Sequence, residues 1–369
     1  MFATSIIKLA YKHVAKPIYF RRDPEKVHDE VVKLGKIIGR IGPMRLVTEK
    51  LFRFDHPALA QTIGGIYFRN PVGLAAGFDK NADLINTMPA VGAGFMQIGS
   101  ITGEPCEGNP KPRLWRLPLS RGLVVNYGLK NDGAEAISKR LRDKKFALPV
   151  STSVAKTNSP NTVDTQSGIA DYVKAFKLTA SIGDITTVNI SCPNAFGGEP
   201  FNNPEKLNAL LFELNKIETS KQIWLKVTPD LTTDQLDELR EVADRHRVHG
   251  FIIANLTKRR DRASIRHDEI TQAGEGGISG RPTNEPANQL ISHLYKTADD
   301  KYTIIGTGGI FNAEDAYTMI RNGASLVQLI TGMIFEGPQL IGEINKGLVE
   351  LLKRDGFENI GDAVGSAHR

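Results

Sequence analysis

Ile185-Thr186-Thr187-Val188-Asn189-Ile190-Ser191-Cys192-Pro193-Asn194 decides how this chain is read. The β-branched run Ile185–Val188 predicts a buried strand, because branched side chains suit an enclosed, pleated surface. Where that strand ends, its loop sets a thiol between two side-chain amides. In a barrel of alternating strands and helices, the C-terminal strand ends carry the chemistry. A thiol can accept a proton, and amides can hold a flat polar ligand. The stretch therefore predicts an active-site loop, provided the remaining sequence builds such a barrel.

Seven further apolar runs resemble the first: Val72–Ala76, Phe95–Ile98, Leu148–Val154, Ile223–Val227, Gly250–Ala254, Thr303–Gly306 and Leu326–Ile330. Most are β-branched and bounded by Gly, Pro or Asn, as buried parallel strands are. Helical periodicity fills the gaps over Asp132–Lys145, Ile169–Ser181, Pro204–Glu218, Asp234–Arg245, Glu285–Lys296 and Ala313–Asn322. Eight strand–helix units predict an α/β chain folded as a (β/α)8 barrel. A doubly wound sheet would open on Gly-x-Gly-x-x-Gly after its first strand, and no such motif is present. Two long connections interrupt the rhythm, and long connections often act as lids. Ser100–Phe146 is expected to hold more than one helix, and Asn255–Asn284 is rich in Gly and charge.

Residues 1–53 read as a separate helical segment before a barrel over 54–369. Two short helices are expected there. Asp23-Pro24-Glu25 is a start signal, and Val27, Val31, Leu34, Ile37 and Ile38 form an apolar stripe for packing or for a mouth over the barrel. The segment holds twelve Lys/Arg against five Asp/Glu, whereas the rest holds 35 against 36, so the overall charge of +6 is an N-terminal property. A basic segment with apolar faces suits an anionic membrane surface; a solvated helical pair is the plainer alternative. No nucleic-acid motif is legible. No run reaches the roughly 18 apolar residues of a spanning helix. The two cysteines give no disulfide framework, and the histidines show no metal spacing.

Several residues could carry chemistry. Gly306-Thr307-Gly308-Gly309 ends the seventh strand and Thr331-Gly332 ends the eighth. In barrels these two loops recurrently hold phosphate, because Gly permits close backbone approach. Lys80 follows the first strand, and Lys226 lies inside the otherwise apolar fifth. A buried lysine must be paired or useful. Asn126, Asn189, Asn194 and Asn255 fall on barrel-top loops and together suit a ring bearing carbonyl and N–H groups, such as a pyrimidine. Cys192 is the candidate base, with a free-thiol pKa of about 8.5.

These residues resemble the dihydroorotate dehydrogenases, and more closely their quinone-linked, membrane-associated class 2 branch. The resemblance runs from about Asp23 to Gly347. It is carried by Asp23–His28, Asn70–Lys80, Lys111-Pro112-Arg113-Leu114-Trp115-Arg116-Leu117, Gly276–Pro282 and Val327–Gly332. It implies a barrel, a bound FMN and oxidation of dihydroorotate to orotate in pyrimidine synthesis. It places Ala76, Gly77, Ser100, Asn189, Lys226, Gly277, Ser279, Gly280, Gly308, Gly309, Thr331 and Gly332 against the flavin. Lys80, Asn126, Asn189, Asn194 and Asn255 then fall at the substrate, Cys192 at the base, and His28 and Arg116 at the quinone end. Three positions depart from class 2. Cys192 stands where that branch has serine and class 1 has cysteine, the loop after Asn126 is one residue shorter with Leu129 in place of an aromatic, and Ile330 replaces a tyrosine.

Three alternatives follow. The same oxidation could use fumarate or NAD, which the cysteine favours and the N-terminal extension opposes. An FMN-dependent reductase of uracil rings in RNA would be expected to carry an RNA-binding domain. A non-catalytic scaffold would lack the coincidence of Cys192, Lys226 and the phosphate loops. The N-terminus lacks the composition of a transit peptide, so the chain is expected to be bacterial and peripheral on the cytoplasmic face of the cell membrane.

Overall fold

A computed structural model describes the backbone from residue 2 to residue 369 and the side chains from residue 6 onward. The eight expected strands are present and close into a barrel. We number them β1 (Val72–Leu74), β2 (Phe95–Ile101), β3 (Val150–Val154), β4 (Ile185–Asn189), β5 (Gln222–Val227), β6 (Gly250–Ile253), β7 (Thr303–Thr307) and β8 (Leu326–Leu329). Each pairs in parallel with its sequence neighbours, and β8 returns to β1. The six expected helices occupy Gly133–Leu141, Thr165–Thr179, Pro204–Asn215, Thr233–Ala243, Asn284–Thr297 and Ala313–Arg321. Side-chain caps start several of them. Asp164 accepts from the Ser167 N–H, Asn203 from Lys206 and Asn312 from Asp315, and Thr232 and Gln235 form a capping box.

The barrel interior changes character along its axis. At the N-terminal end Phe95, Ile185, Trp224, Ile252, Ile305 and Leu326 pack together, all fully buried. Phe68, from an antiparallel hairpin (Gln61–Ile63 with Ile66–Phe68), seals that end. Two residues further along, on the same faces, stand Gln97, Thr187, Lys226, Thr307 and Gln328, since strand side chains repeat every second residue. Gln97 Nε2 crosses the interior to Thr187 Oγ1 at 2.6 Å and reaches Ser151 Oγ at 3.3 Å.

The long connection Ser100–Phe146 differs from expectation. It holds one helix, Gly133–Leu141, and a hairpin of Leu114–Leu117 with Gly122–Val125. Gly277–Gly280, from the second long connection, pairs antiparallel with Gly122–Val125. Long-range pairing between the two connections thus makes a three-stranded lid that neither segment specifies alone.

The N-terminal segment is also more helical than expected. Phe2–Ala10, a π-helical turn Tyr11–Ala15 and Lys16–Phe20 run on as one rod, followed by helices Pro24–Arg40 and Gly42–Phe52. Asp23 caps helix Pro24–Arg40, accepting from the Lys26 N–H at 2.8 Å. The rod seats on the short helix Thr331–Glu336. Phe20 meets Phe335 edge-on with centroids 5.3 Å apart, Tyr11 Oη donates to the Ile334 carbonyl, and Lys12 pairs with Glu336. Glu25 and Arg113, only 3% and 4% exposed, join helix Pro24–Arg40 to the lid through two hydrogen bonds of 3.0 and 2.7 Å. Of the expected stripe, Val27 is buried while Leu34 and Ile37 are exposed. No helix among the described residues is long and apolar enough to cross a membrane.

Candidate active site

A cleft of about 1260 Å³, counting its open mouth, lies at the C-terminal end of the barrel. Lid, helical segment and strand ends all contribute to its walls. Its lining includes Ala76, Gly77, Lys80, Ser100, Asn189, Cys192, Asn194, Lys226, Asn255, Ser279, Gly280, Gly308, Gly309, Thr331 and Gly332, together with His28. Sequence reasoning named all of these.

The phosphate end follows from the glycines. Gly308 and Gly309 follow β7 with φ of +119° and +65°. A Cβ at Gly309 would strike Asn284 and the Gly280 carbonyl, and one at Gly332 would strike the Ile310 carbonyl. The Gly308 and Gly309 N–H groups donate to no acceptor among the described residues. Beside them Ser279 Oγ and Thr331 Oγ1 are 2.8 Å apart. Free N–H groups, hydroxyls and close-packed glycines make an anion cradle.

Lys226 rises from β5 into the cleft, 4% exposed and with no carboxylate within ion-pair distance among the described residues. Desolvation pulls its pKa down to about 8, opposed by Cys192. An unpaired ammonium in a buried cleft is costly and calls for a ligand with electron-rich atoms. Asn189, the cross-strand neighbour of Lys226, donates Nδ2 to Ser100 Oγ at 2.9 Å, and Ser100 Oγ lies 2.8 Å from Ser153 Oγ, so the strands beside Lys226 also offer fixed polar groups. A phosphate cradle, a lone cation and a polar slot are the features a flavin mononucleotide requires, and the residues present fit one.

Cys192 faces the same cleft from the loop after β4. Burial pushes its thiol up to about 11; Lys156 and Lys226 act against that rise and Glu199 adds to it. The value expected for a free thiol is therefore corrected upward, because the loop is desolvated. Lys156 Nζ donates to the Phe196 carbonyl at 2.5 Å, and Asn158 Oδ1 accepts from the Phe196 N–H at 2.7 Å. These two anchors, missed in the sequence, pin the Cys192 loop to the segment after β3.

At the far end Lys80 is half-buried, and desolvation draws its pKa down to about 8. Its Nζ lies 4.1 Å over the Tyr127 ring and 3.4 Å from His28 Nε2. The His28 pKa is lowered by burial and by Lys80. Of the asparagines, Asn255 donates Nδ2 to Asn189 Oδ1 and to Ser191 O and Oγ, leaving Oδ1 without a partner among the described residues. Asn194 spends both side-chain ends on backbone, donating to the Val125 carbonyl and accepting from the Gly277 N–H.

Asn126 and Gly277 line an adjoining cleft that meets the first at Pro193 and Asn194. Arg116 stands outside both, over the Phe20 ring and bonded to the Arg22 carbonyl. Cys106 is buried and donates to the carbonyl of Gly128, which lines the cleft, but does not line it itself.

Comparison with known proteins bears on this geometry. The model of the dihydroorotate dehydrogenase family matches residues 58–352. A dihydroorotate dehydrogenase (quinone) of Roseiflexus sp. (strain RS-1) is 36% identical over 355 residues, covering 95% of this chain and 96% of its own. One from Natronomonas pharaonis is 37% identical over 350 residues, covering 95% and 97%. Among solved structures, DHODH from Eimeria tenella in complex with ferulenol is similar with a TM-score of 0.83 at 28% identity, over 94% of this chain and 96% of that one. The ligand-free form gives 0.83 at 29% identity, over 94% and 100%.

Proposed function

The chain belongs to the dihydroorotate dehydrogenase family, and we propose that its cleft holds FMN and dihydroorotate side by side, with Cys192 as the base. It is an oxidoreductase that converts dihydroorotate to orotate in pyrimidine synthesis and passes electrons to a quinone. The relatives' quinone designation supports that acceptor over fumarate or NAD. The single observation that carries the reading is that Cys192 and the unpaired Lys226 face one cleft whose other end is the glycine cradle.

In this reading Gly308, Gly309, Thr331 and Gly332 hold the phosphate, and Ala76, Gly77, Ser100, Asn189, Ser279 and Gly280 border the ring, with Gly277 just behind them. Bound FMN supplies the two-electron acceptor. Lys226 places its positive charge where negative charge accumulates, the usual means of stabilising a developing anion. Lys80 receives the substrate carboxylate. Asn255 offers an acceptor to a ring N–H, Asn126 completes the ring's polar edge, and Asn194, bonded to backbone at both side-chain ends, has only its second Nδ2 hydrogen to add. The Cys192 thiolate removes a proton from the ring carbon beside the carbonyl and becomes the thiol. The lid and the helical segment exclude water.

The segment 1–53 serves the barrel of 54–369 as mouth and anchor. Among the described residues, ten of the fifteen exposed large apolar side chains lie between Ile6 and Val47, on the segment that also carries the excess positive charge. Such a surface suits peripheral attachment to an anionic bilayer, on the cytoplasmic face in a bacterium. A quinone drawn from that bilayer would reach the cleft past His28 and Arg116.

Rapid mixing of the flavin-loaded Cys192→Ala protein with dihydroorotate tests the base. Flavin bleaching should slow by roughly 10²- to 10⁴-fold while the flavin content stays normal. Bleaching at the wild-type rate would remove Cys192 from the mechanism.

A further inference from the structure

Asn109 has no role in the reading above, yet every one of its polar groups is engaged beside the substrate amides. Its Nδ2 donates to Asn126 Oδ1 at 2.8 Å and to the Asn194 carbonyl at 2.9 Å. Its Oδ1 accepts from Asn158 Nδ2 at 2.8 Å. Its N–H donates to the Tyr127 carbonyl at 3.1 Å, and its carbonyl accepts from Arg113 Nη1 at 2.8 Å. Arg113 is itself fixed by the buried carboxylate of Glu25.

The consequence lies in the direction of one amide. An asparagine side chain can present either its oxygen or its NH₂ to a ligand, and its surroundings choose. Asn109 occupies Asn126 Oδ1, so Asn126 must turn its Nδ2 away, and that group has no partner among the described residues. Asn255 is held the opposite way, with its Nδ2 consumed and its Oδ1 open. One amide is set as a donor and the other as an acceptor.

We propose that Asn109 is a positioning residue for substrate recognition, fixing Asn126 as a hydrogen-bond donor toward a ring carbonyl. The inference rests on the reading of Asn126 as a substrate contact. It adds that specificity for a ring with both carbonyl and N–H groups is set one residue behind the contact, on a loop tethered through Arg113 to helix Pro24–Arg40. Asparagine is needed at 109 because aspartate, though the same shape, cannot donate to Asn126 Oδ1.

The test uses flavin-loaded protein and direct titration with orotate, followed by steady-state kinetics. Asn109→Asp should weaken orotate binding by roughly 10- to 100-fold, the usual consequence of an unmatched hydrogen-bond pair at a site. KM for dihydroorotate should rise by a similar factor while kcat changes less than threefold. Asn126→Ala should weaken binding comparably. Asn109→Ala made in the Asn126→Ala background should add little, because the two act through one contact. If Asn126→Ala weakens binding but Asn109→Asp does not, or if the losses simply add, Asn109 is not a positioning residue while the substrate reading stands. If Asn126→Ala binds orotate as the wild type does, the substrate reading of Asn126 fails and this inference with it.

Discussion

Trp224 and Lys226 sit two residues apart on β5 and face the same barrel interior, yet they have opposite physical roles. Trp224 belongs to a closed apolar layer with Phe95, Ile185, Ile252, Ile305 and Leu326. Lys226 belongs to a polar layer with Gln97, Thr187, Thr307 and Gln328, one pleat nearer the cleft. The strands supply both layers by the same alternation, so the change from apolar to polar is a matter of depth along the axis and not of element. The lower layer holds the barrel shut, and the upper one tolerates an unpaired charge because a ligand is meant to meet it.

The largest effect that could break this division is on stability. Trp224→Ala should cost about 3–5 kcal/mol by leaving a cavity in the closed layer. Denaturant unfolding would measure it, and the flavin-loaded molecules that remain folded should turn over at the wild-type rate. A loss under 1 kcal/mol would mean that the lower layer is not the structural one.

Lys226→Met should show the reverse signature. Turnover should fall by roughly 10²- to 10³-fold, whereas the ligand-free protein should be no less stable, since an unpaired buried charge has been removed. The pH dependence sharpens this. In the wild type the Lys226 pKa falls from 10.5 to about 8, so between those values the unfolded chain binds more protons than the folded one, and stability gains with rising pH. The stability advantage of Lys226→Met should therefore be full below pH 8 and shrink from there toward pH 10. An advantage independent of pH would show that Lys226 keeps its ordinary pKa.

A smaller shift is expected in the activity profile. A base works deprotonated, so kcat/KM should rise with pH, and a neighbouring ammonium favours the thiolate. Cys192→Ser, whose hydroxyl is a far weaker acid, should move that rise to higher pH by at least about one unit. Superimposable profiles would detach the titration from residue 192.

The smallest effect lies outside the barrel. Val14 and Ile18, four residues apart on the first helical rod, are 59% and 54% exposed. Val14→Ser with Ile18→Ser should weaken partition onto anionic vesicles by roughly tenfold or less per side chain, leaving turnover with a water-soluble quinone unchanged. Equal sedimentation of both proteins with vesicles would assign this face another purpose.

The barrel was legible because burial on both sides writes itself locally. Ile185-Thr186-Thr187-Val188 and its seven counterparts are short, mainly β-branched or apolar runs, most of them bounded by Gly, Pro or Asn, and each became a strand. The lid was not legible. Leu114–Leu117, Gly122–Val125 and Gly277–Gly280 are four residues each; the first two form a short local hairpin, and the third joins them only by pairing across more than 150 positions. The first rod escaped notice because its apolar residues are split between packing on Thr331–Glu336 and exposure.

Within the site, residues that touch the cleft could be named one by one. The groups behind them could not. Asn109, Lys156 and Asn158 act through hydrogen bonds to loops distant in sequence. Asn109, between Gly and Pro, and Asn158, before Ser, are loop amides, a signal too weak by itself to single them out. The upward push on the Cys192 thiol was illegible for a related reason, since desolvation by neighbouring loops cannot be read from a tripeptide.

The most direct test mixes the purified flavin-loaded protein with dihydroorotate in the absence of oxygen and follows the flavin absorbance. It then adds a short-chain quinone, fumarate or NAD, each alone. Dihydroorotate should bleach the flavin within the turnover time, and the quinone alone should restore it. Flavin that stays oxidised with dihydroorotate would contradict the substrate assignment, and recovery with fumarate or NAD but not quinone would contradict the acceptor.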